Sequence, residues 1–245
     1  RALLPNVREN FALRQRLLRA TVRGCGETEI FRALHALANK TVTLDRAVLI
    51  ERRFLRNAFL QLLAVSDTVG APLKLEEYLK DAVNITDRLN ALTAIWQSKH
   101  TERRALLERE GEVLRQTLGG YLGYLQVVGQ SPREEVFDAV AEEERRPSFS
   151  LSHPGLIRAL YVPLSLNNAQ IWTPRGLGWL AGTVVKLAPV SEHTALRLIA
   201  PCQAYRTFAP DLRGAVEGAL RSMLTALKGA RCPSVAGRIE ACLNG

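Results

Sequence analysis

The spacing of the apolar residues is the feature that most constrains the fold of this chain. Leu, Ala and Val recur every three or four positions along most of its length, and this spacing places them on one face of an α-helix. Few stretches show the β-branched alternation that a strand needs. We therefore predict an all-α protein of roughly a dozen helices. The clearest stripe comprises Leu212, Val216, Leu220, Met223 and Leu227.

Capping residues mark where several of these helices start. Residues 2–22 are predicted as the first helix, ended by Gly24 to Gly26, and a second stripe runs over residues 44–62. The glycines of residues 118–124 follow no strand, so they indicate close helix packing or a loosened turn rather than a phosphate loop. The predicted starts are Asn84, Ser131 with Pro132 and a capping-box Glu134, Thr173-Pro174 and Ala209-Pro210.

Helices joined by short turns pack as antiparallel hairpins, and a long succession of hairpins curls into a superhelix. We therefore expect a superhelical, HEAT- or armadillo-like array of antiparallel hairpins. Residues 1–245 are expected to form one helical domain, with a candidate subdomain break near residues 144–148. The chain opens inside an amphipathic pattern at Arg1 to Leu4, so we expect it to be a piece of a larger protein.

Composition and charge narrow the classes of function. Hydrophobic residues make up 47% of the chain and charged residues 23%, which is typical of a globular protein. The net charge of +9 is spread along the chain without a basic tail or an aromatic RNA-binding motif. No apolar run is long enough to span a membrane. We therefore expect neither nucleic acid nor membrane as a partner.

The sequence contains no recognisable catalytic or metal-binding motif. The four histidines do not form HExxH, and the four cysteines match no CxxC pattern. A GxSxG elbow and a P-loop are also missing, so we set aside a self-sufficient hydrolase and expect no cofactor in this chain. The cysteines are expected as buried free thiols, which favours a reducing compartment such as the cytoplasm, with an organelle as the alternative.

Four strings of residues, in order along the chain, resemble the C-terminal domain of the bacterial-type aminopeptidase N family, a family of zinc peptidases. Two departures accompany them, at residues 121–126 and at residues 171–172, where Ile and Trp stand in place of the family's Phe-His. The catalytic GAMEN and HExxH modules of the family are not in this sequence. The strings are RFLRNAFL at residues 53–60, NITDRLNAL at 84–92, FSLSHPGLIRAL at 149–160 and LRLIAP at 196–201.

The resemblance implies a non-catalytic domain that is bowl-shaped, closes the active-site cavity of a zinc aminopeptidase and controls which peptides enter it. Its partners would be the catalytic domain of the same polypeptide and short peptides, with zinc held in the parent enzyme only. The resemblance also implies that Arg158 and Arg197 face the cavity and bind the substrate, where a guanidinium suits a peptide carboxylate. Asn168 is a third candidate for the cavity wall, with a role in a turn as the alternative.

A different class of function stays open on the residues alone. A helical array can act as a stand-alone scaffold that binds a protein or nucleic acid on its concave face. An HExxH motif encoded upstream of Arg1 would decide for the peptidase domain.

Overall fold

The computed structural model describes residues 7–37 and 45–244. Within these ranges the chain forms thirteen α-helices and one 3-10 helix and contains no strand, which confirms the predicted all-α class. The predictions for residues 2–6 and for Leu44 lie outside the described residues. The α-helices are α1 Val7–Cys25, α2 Glu27–Ala36, α3 Arg46–Val65, α4 Gly70–Lys80, α5 Ile85–Gln97, α6 Arg103–Leu114, α7 Leu118–Val128, α8 Glu135–Glu144, α9 Pro154–Ser165, α10 Pro174–Leu187, α11 Glu192–Ile199, α12 Pro210–Ala226 and α13 Pro233–Asn244, and the 3-10 helix Ala200–Thr207 follows α11.

Most of the helix starts that capping residues predicted are confirmed. The Asn84 side chain accepts a hydrogen bond of 2.9 Å from the backbone N–H of Asp87 at the start of α5. Thr173 accepts one of 3.0 Å from Gly176 at the start of α10, and α12 begins at Pro210. These bonds satisfy N–H groups that a helix leaves unpaired in its first turn.

The predicted capping box at Ser131 is wrong. The hydroxyl of Ser131 accepts from the backbone N–H of Arg133 at 3.3 Å, which is a local turn, and α8 begins only at Glu135. A serine can bond the backbone two residues on as readily as it caps a helix. Here the turn prevails, and the side chain of Ser131 is buried.

A single glycine separates the first two helices, and α2 was not predicted from the sequence. Gly26 has a φ of 79°, in the left-handed region that favours glycine, and its backbone N–H bonds the carbonyl of Val22 at 3.0 Å. This is how a helix commonly ends. The predicted end of the first helix is therefore confirmed, and α2 starts directly afterwards at Glu27.

The contacts divide the chain into two compact units. The N-terminal unit is Ala12–Val127, and the C-terminal unit is Val128–Gly245 with Arg1–Phe11. The division falls at Val127–Val128, whereas the break predicted near residues 144–148 coincides with the end of α8, inside the C-terminal unit.

In the N-terminal unit α5 is the central helix, packing against α3, α4 and α6. Its residues Leu92, Ile95 and Trp96 are fully buried. Gly123 of α7 allows that helix to pack closely against α5, because a methyl group at this position would overlap the side chain of Leu89. The close helix packing expected for these glycines is confirmed at Gly123 alone, since Gly119 has open space around it and Gly120 lies against the local atoms of Leu114 and Thr117.

In the C-terminal unit α10 and α11 occupy the middle. The two helices contact each other, α10 also contacts α12, and α11 also contacts α9 and α13. Their inward residues are aliphatic and fully buried, so the two helices supply most of the surface on which the others pack. These residues are Leu180, Val184 and Leu187 in α10, and Ala195, Leu198 and Ile199 in α11.

Candidate functional site

Arg158 lies on α9, a helix that is buried on nearly every side. His153 caps its first turn by accepting from the backbone N–H of Leu156 at 3.3 Å, and Pro154 occupies the first helical position. The neighbours Ile157 and Ala159 are buried, while the side chain of Arg158 is exposed. The cap fixes where α9 begins, and its buried apolar residues fix its rotation, so the side chain of Arg158 is left in solvent.

Arg197 lies on α11 and is also exposed. Its Nε donates to Nε2 of His193, one helical turn earlier, at 3.1 Å. Over the described residues, neither Arg197 nor Arg158 forms an ion pair with a carboxylate, in contrast to Arg175 on the neighbouring helix α10. An exposed guanidinium without a carboxylate partner keeps its fork of donors for an external anion.

Asn168 has a structural bond in the turn after α9. Its side-chain oxygen accepts from the indole N–H of Trp172 at 3.0 Å, and that ring is buried. A buried indole needs a hydrogen-bond acceptor, and Asn168 supplies it. Asn168 therefore has the role in a turn that was the alternative to a place in the cavity wall. The residue before it, which the sequence did not single out, fastens the same turn: Asn167 donates to the carbonyls of Gly129 and Ser131 at 3.2 and 2.7 Å.

The structure therefore places the two arginines on helices that pack against each other, α9 and α11, and places Asn168 in the turn that follows α9. It shows no hydrogen bond among the three side chains. The assignment of Arg158, Arg197 and Asn168 to substrate binding stays a prediction. What the geometry provides is two exposed cations on one pair of adjoining helices.

Two of the strings that carry the resemblance meet inside the N-terminal unit. Arg56 in α3 and Asp87 in α5 form an ion pair of 2.6 Å, and both side chains are about 5% exposed. The next residue, Arg88, pairs with the buried Glu110 of α6. These strings are thus explained by packing, because each charge compensates another where water is excluded.

The histidines and cysteines do not assemble into a metal site within the described residues. His153 is a helix cap, whereas His100 is buried with its Nε2 3.4 Å from Glu76. Cys202, Cys232 and Cys242 are buried free thiols, but Cys25 is exposed, contrary to the expectation for it. Across the described ranges, the helices are too short or too polar to cross a membrane.

Comparison with known proteins shows the family. The family model described as "Domain of unknown function (DUF3458_C) ARM repeats" matches residues 6–230, so the chain belongs to that family. The ARM-repeat description agrees with the predicted array of helices.

The chain is similar to two proteins named aminopeptidase N. It is 26% identical to that of Caulobacter vibrioides over 164 residues, which are 66% of this chain and 19% of the relative. It is 29% identical to that of Escherichia coli over 155 residues, which are 62% of this chain and 18% of the relative. The chain thus matches about a fifth of the length of these relatives.

A solved structure shares the fold. The crystal structure of Legionella pneumophila aminopeptidase A in complex with aspartic acid matches 98% of this chain and 29% of its own, with a TM-score of 0.83 and 17% identity. Together with the family match and the two relatives, this likeness supports the resemblance that the four strings predicted: a C-terminal aminopeptidase domain.

Proposed function

We propose that this chain is the non-catalytic C-terminal domain of an aminopeptidase, and that it closes the cavity in which peptides lose their N-terminal residues. The observation that carries the proposal is the family match over residues 6–230 combined with the names of the relatives. In this proposal zinc belongs to the catalytic part of the polypeptide, which is also the domain's partner. The described residues offer no set of ligands for a metal, so no chemical step is assigned to them.

We further propose that Arg158 and Arg197 bind the C-terminal carboxylate of short peptides. Both side chains are exposed, and the helices that carry them adjoin. A charge-assisted hydrogen bond to such a carboxylate contributes about 1–3 kcal/mol. Binding there would hold the far end of a peptide while its N-terminus reacts elsewhere.

The test uses the full-length polypeptide and two classes of substrate. Changing Arg158 or Arg197 to Ala should raise KM for di- and tripeptides by about 5- to 150-fold, which corresponds to 1–3 kcal/mol. A neutral chromogenic amide lacks the carboxylate, so its KM should stay within about twofold. The effect on peptides should weaken partly as the salt concentration rises.

Arg221→Ala is the matched control, because Arg221 is an exposed arginine of the same unit that already pairs with Glu217 at 2.7 Å. It should leave both substrates unchanged. Equal losses on both substrates for Arg158→Ala and Arg197→Ala would show a structural role for these arginines. A full-length polypeptide without aminopeptidase activity would contradict the proposal and favour the stand-alone scaffold.

A further inference from the structure

The N-terminal unit contains a cavity that was not predicted from the sequence. It has a volume of about 230 Å³ and lies where α2, α3 and α4 meet the loop before α5. Its wall combines the buried Arg56–Asp87 pair, the ring of Tyr78 and the aliphatic side chains of Leu34 and Val83. Its residues belong to the N-terminal unit, whereas Arg158 and Arg197 belong to the C-terminal unit, and its role goes beyond the proposed function.

At the inner wall the carboxylate of Asp87 has its partners, whereas the guanidinium of Arg56 carries more donors than Asp87 uses. Oδ1 of Asp87 accepts from Nη2 of Arg56 at 2.6 Å, and its Oδ2 accepts from the side chain of Asn84 at 2.7 Å. Asp87 is therefore bonded through both oxygens. A guanidinium carries five N–H donors, so one bond to Asp87 leaves donors of Arg56 for a second acceptor. A buried ion pair is stable only when such remaining groups are also satisfied.

The neighbouring polar groups favour the same kind of ligand. The ring centre of Tyr78 lies 6.0 Å from the guanidinium of Arg56, which also reaches the Tyr78 hydroxyl as a hydrogen-bond donor. Burial raises the pKa of that hydroxyl, so it keeps its own proton to donate. The charge of Lys74 is already met by Glu77 at 2.8 Å. An acceptor that enters the cavity therefore meets the donors of Arg56 and Tyr78 first.

Two aliphatic side chains contribute an apolar part of the wall. Leu34 is buried at the back, and Val83 stands at the rim with 85% of its surface exposed. The carboxylate of Asp81 also lines the cavity. A ligand that fits has a carboxylate at one end and an aliphatic group next to it, because burial of that group against Leu34 and Val83 adds to the affinity.

We propose that this cavity binds an α-carboxylate that bears an aliphatic side chain. Two sources share this chemistry, a free aliphatic amino acid and the C-terminus of a peptide. A free amino acid also carries an ammonium group, which Asp81 can receive, whereas a peptide C-terminus does not.

The proposal is tested by titrating the 245-residue chain with three probes and following the backbone amide signals of Ala82 and Val83 by NMR. Leucine represents the free amino acid, N-acetyl-leucine represents the peptide C-terminus, and leucinamide lacks the carboxylate. A saturable shift with leucine or N-acetyl-leucine is expected at concentrations up to about 10 mM, the range of a ligand of this size. Leucinamide should bind about tenfold more weakly.

Two valines provide a matched pair of variants. Val83 and Val69 are both 85% exposed, but only Val83 is part of the cavity wall. Val83→Glu adds a carboxylate at the rim and should weaken binding by about tenfold, while Val69→Glu should change it less than about twofold. Arg56→Lys keeps the charge but removes the fork of donors, and should also weaken binding about tenfold. If that variant does not fold, the valine pair still decides.

Binding of N-acetyl-leucine as well as leucine would support the site and identify a peptide C-terminus as a sufficient ligand. Binding of leucine alone would support it and identify the free amino acid. The proposal is overturned if neither probe shifts the two signals, if leucinamide binds as well as leucine, or if the two valine variants behave alike.

Discussion

Two ion pairs, one in each unit of this chain, lie in very different surroundings. In the N-terminal unit Arg56 and Asp87 pair where both side chains are almost fully buried. In the C-terminal unit Arg175 bridges Glu134 and Asp138, with 43%, 68% and 62% of the three side chains exposed. Water and salt screen the second arrangement but not the first. The same residue types therefore pair in a buried site in one unit and at the surface in the other.

The units differ in their apolar surface as well. Among the described residues, all but two of the large apolar side chains that are exposed belong to the N-terminal unit, the exceptions being Leu166 and Val190. Leu17 of α1 and Phe54 of α3 are examples, at 61% and 71% exposed. The N-terminal unit leaves more apolar surface in water, so we expect its stability to depend more strongly on single polar contacts.

The largest effect is expected from breaking the buried pair. Asp87→Ala leaves Arg56 charged without its partner in a site that excludes water, and should lower the free energy of unfolding by about 3–5 kcal/mol. Arg175→Ala should cost about 1 kcal/mol or less, because exposed pairs contribute little. Urea unfolding followed by circular dichroism measures both. Similar losses for the two variants would remove the contrast between the units.

A smaller effect is expected at two glycines. In the C-terminal unit a methyl group on Gly176 would lie 2.6 Å from the backbone oxygen of Ile171, which cannot move easily, so Gly176→Ala should cost about 1–3 kcal/mol. In the N-terminal unit Gly123→Ala would meet only the side chain of Leu89, which can rotate, and should cost less. Gly178→Ala, with open space around it, is the control and should stabilise α10 by about 0.5–1 kcal/mol. Thermal unfolding curves give the order of the three stabilities. A larger loss for Gly123→Ala than for Gly176→Ala would contradict the expectation that Leu89 can move aside.

Removing a helix cap should lower the free energy of unfolding by about 1 kcal/mol more at Asn84, in the N-terminal unit, than at Thr173, in the C-terminal unit. Thr173→Ala removes the capping bond from Gly176 and a bond of 2.7 Å to the carbonyl of Gln170, both between uncharged groups, and should cost about 1 kcal/mol. Asn84→Ala removes a cap and also the bond of 2.7 Å to Asp87, so it should cost about 2 kcal/mol. The free energies of unfolding of the single variants and of Asn84→Ala with Asp87→Ala test the coupling. Additive losses in the double variant would mean that cap and ion pair act independently.

The smallest effect concerns the thiols near neutral pH. Burial raises the pKa of the Cys202 thiol to about 12, and the neighbouring Cys242 adds to the rise, so the folded chain retains this proton. The associated stability is complete below pH 9, the ordinary value, and is lost as the pH rises towards 12. Urea midpoints should therefore agree at pH 7 and 8 and fall at pH 10. Cys202→Ala should reduce that fall. An unchanged fall in Cys202→Ala would mean that other groups cause it.

The thiol that reacts first with a disulfide reagent should be that of Cys25, because Cys25 is exposed.

The sequence by itself determined the all-α class and several of the helix starts. Apolar spacing and capping residues act over three or four positions, so they can be read locally, as the starts at Asn84, Thr173 and Pro210 show. The helix α2 was not predicted, because its ten residues give few turns over which the apolar spacing can repeat. Ser131 shows the limit of local reading, since a turn and a cap use the same hydroxyl and burial decides between them.

Only the tertiary structure decided what the charged residues do. Arg56 and Arg158 look alike in the sequence, each inside a string that resembles the family, yet one is buried against Asp87 and the other is exposed. Their partners lie far along the chain or are absent from the described residues, and no local pattern records that difference. The cavity beside Arg56 arises in the same way, because its wall comes from segments that only packing brings together, and packing depends on the shapes of all the helices at once.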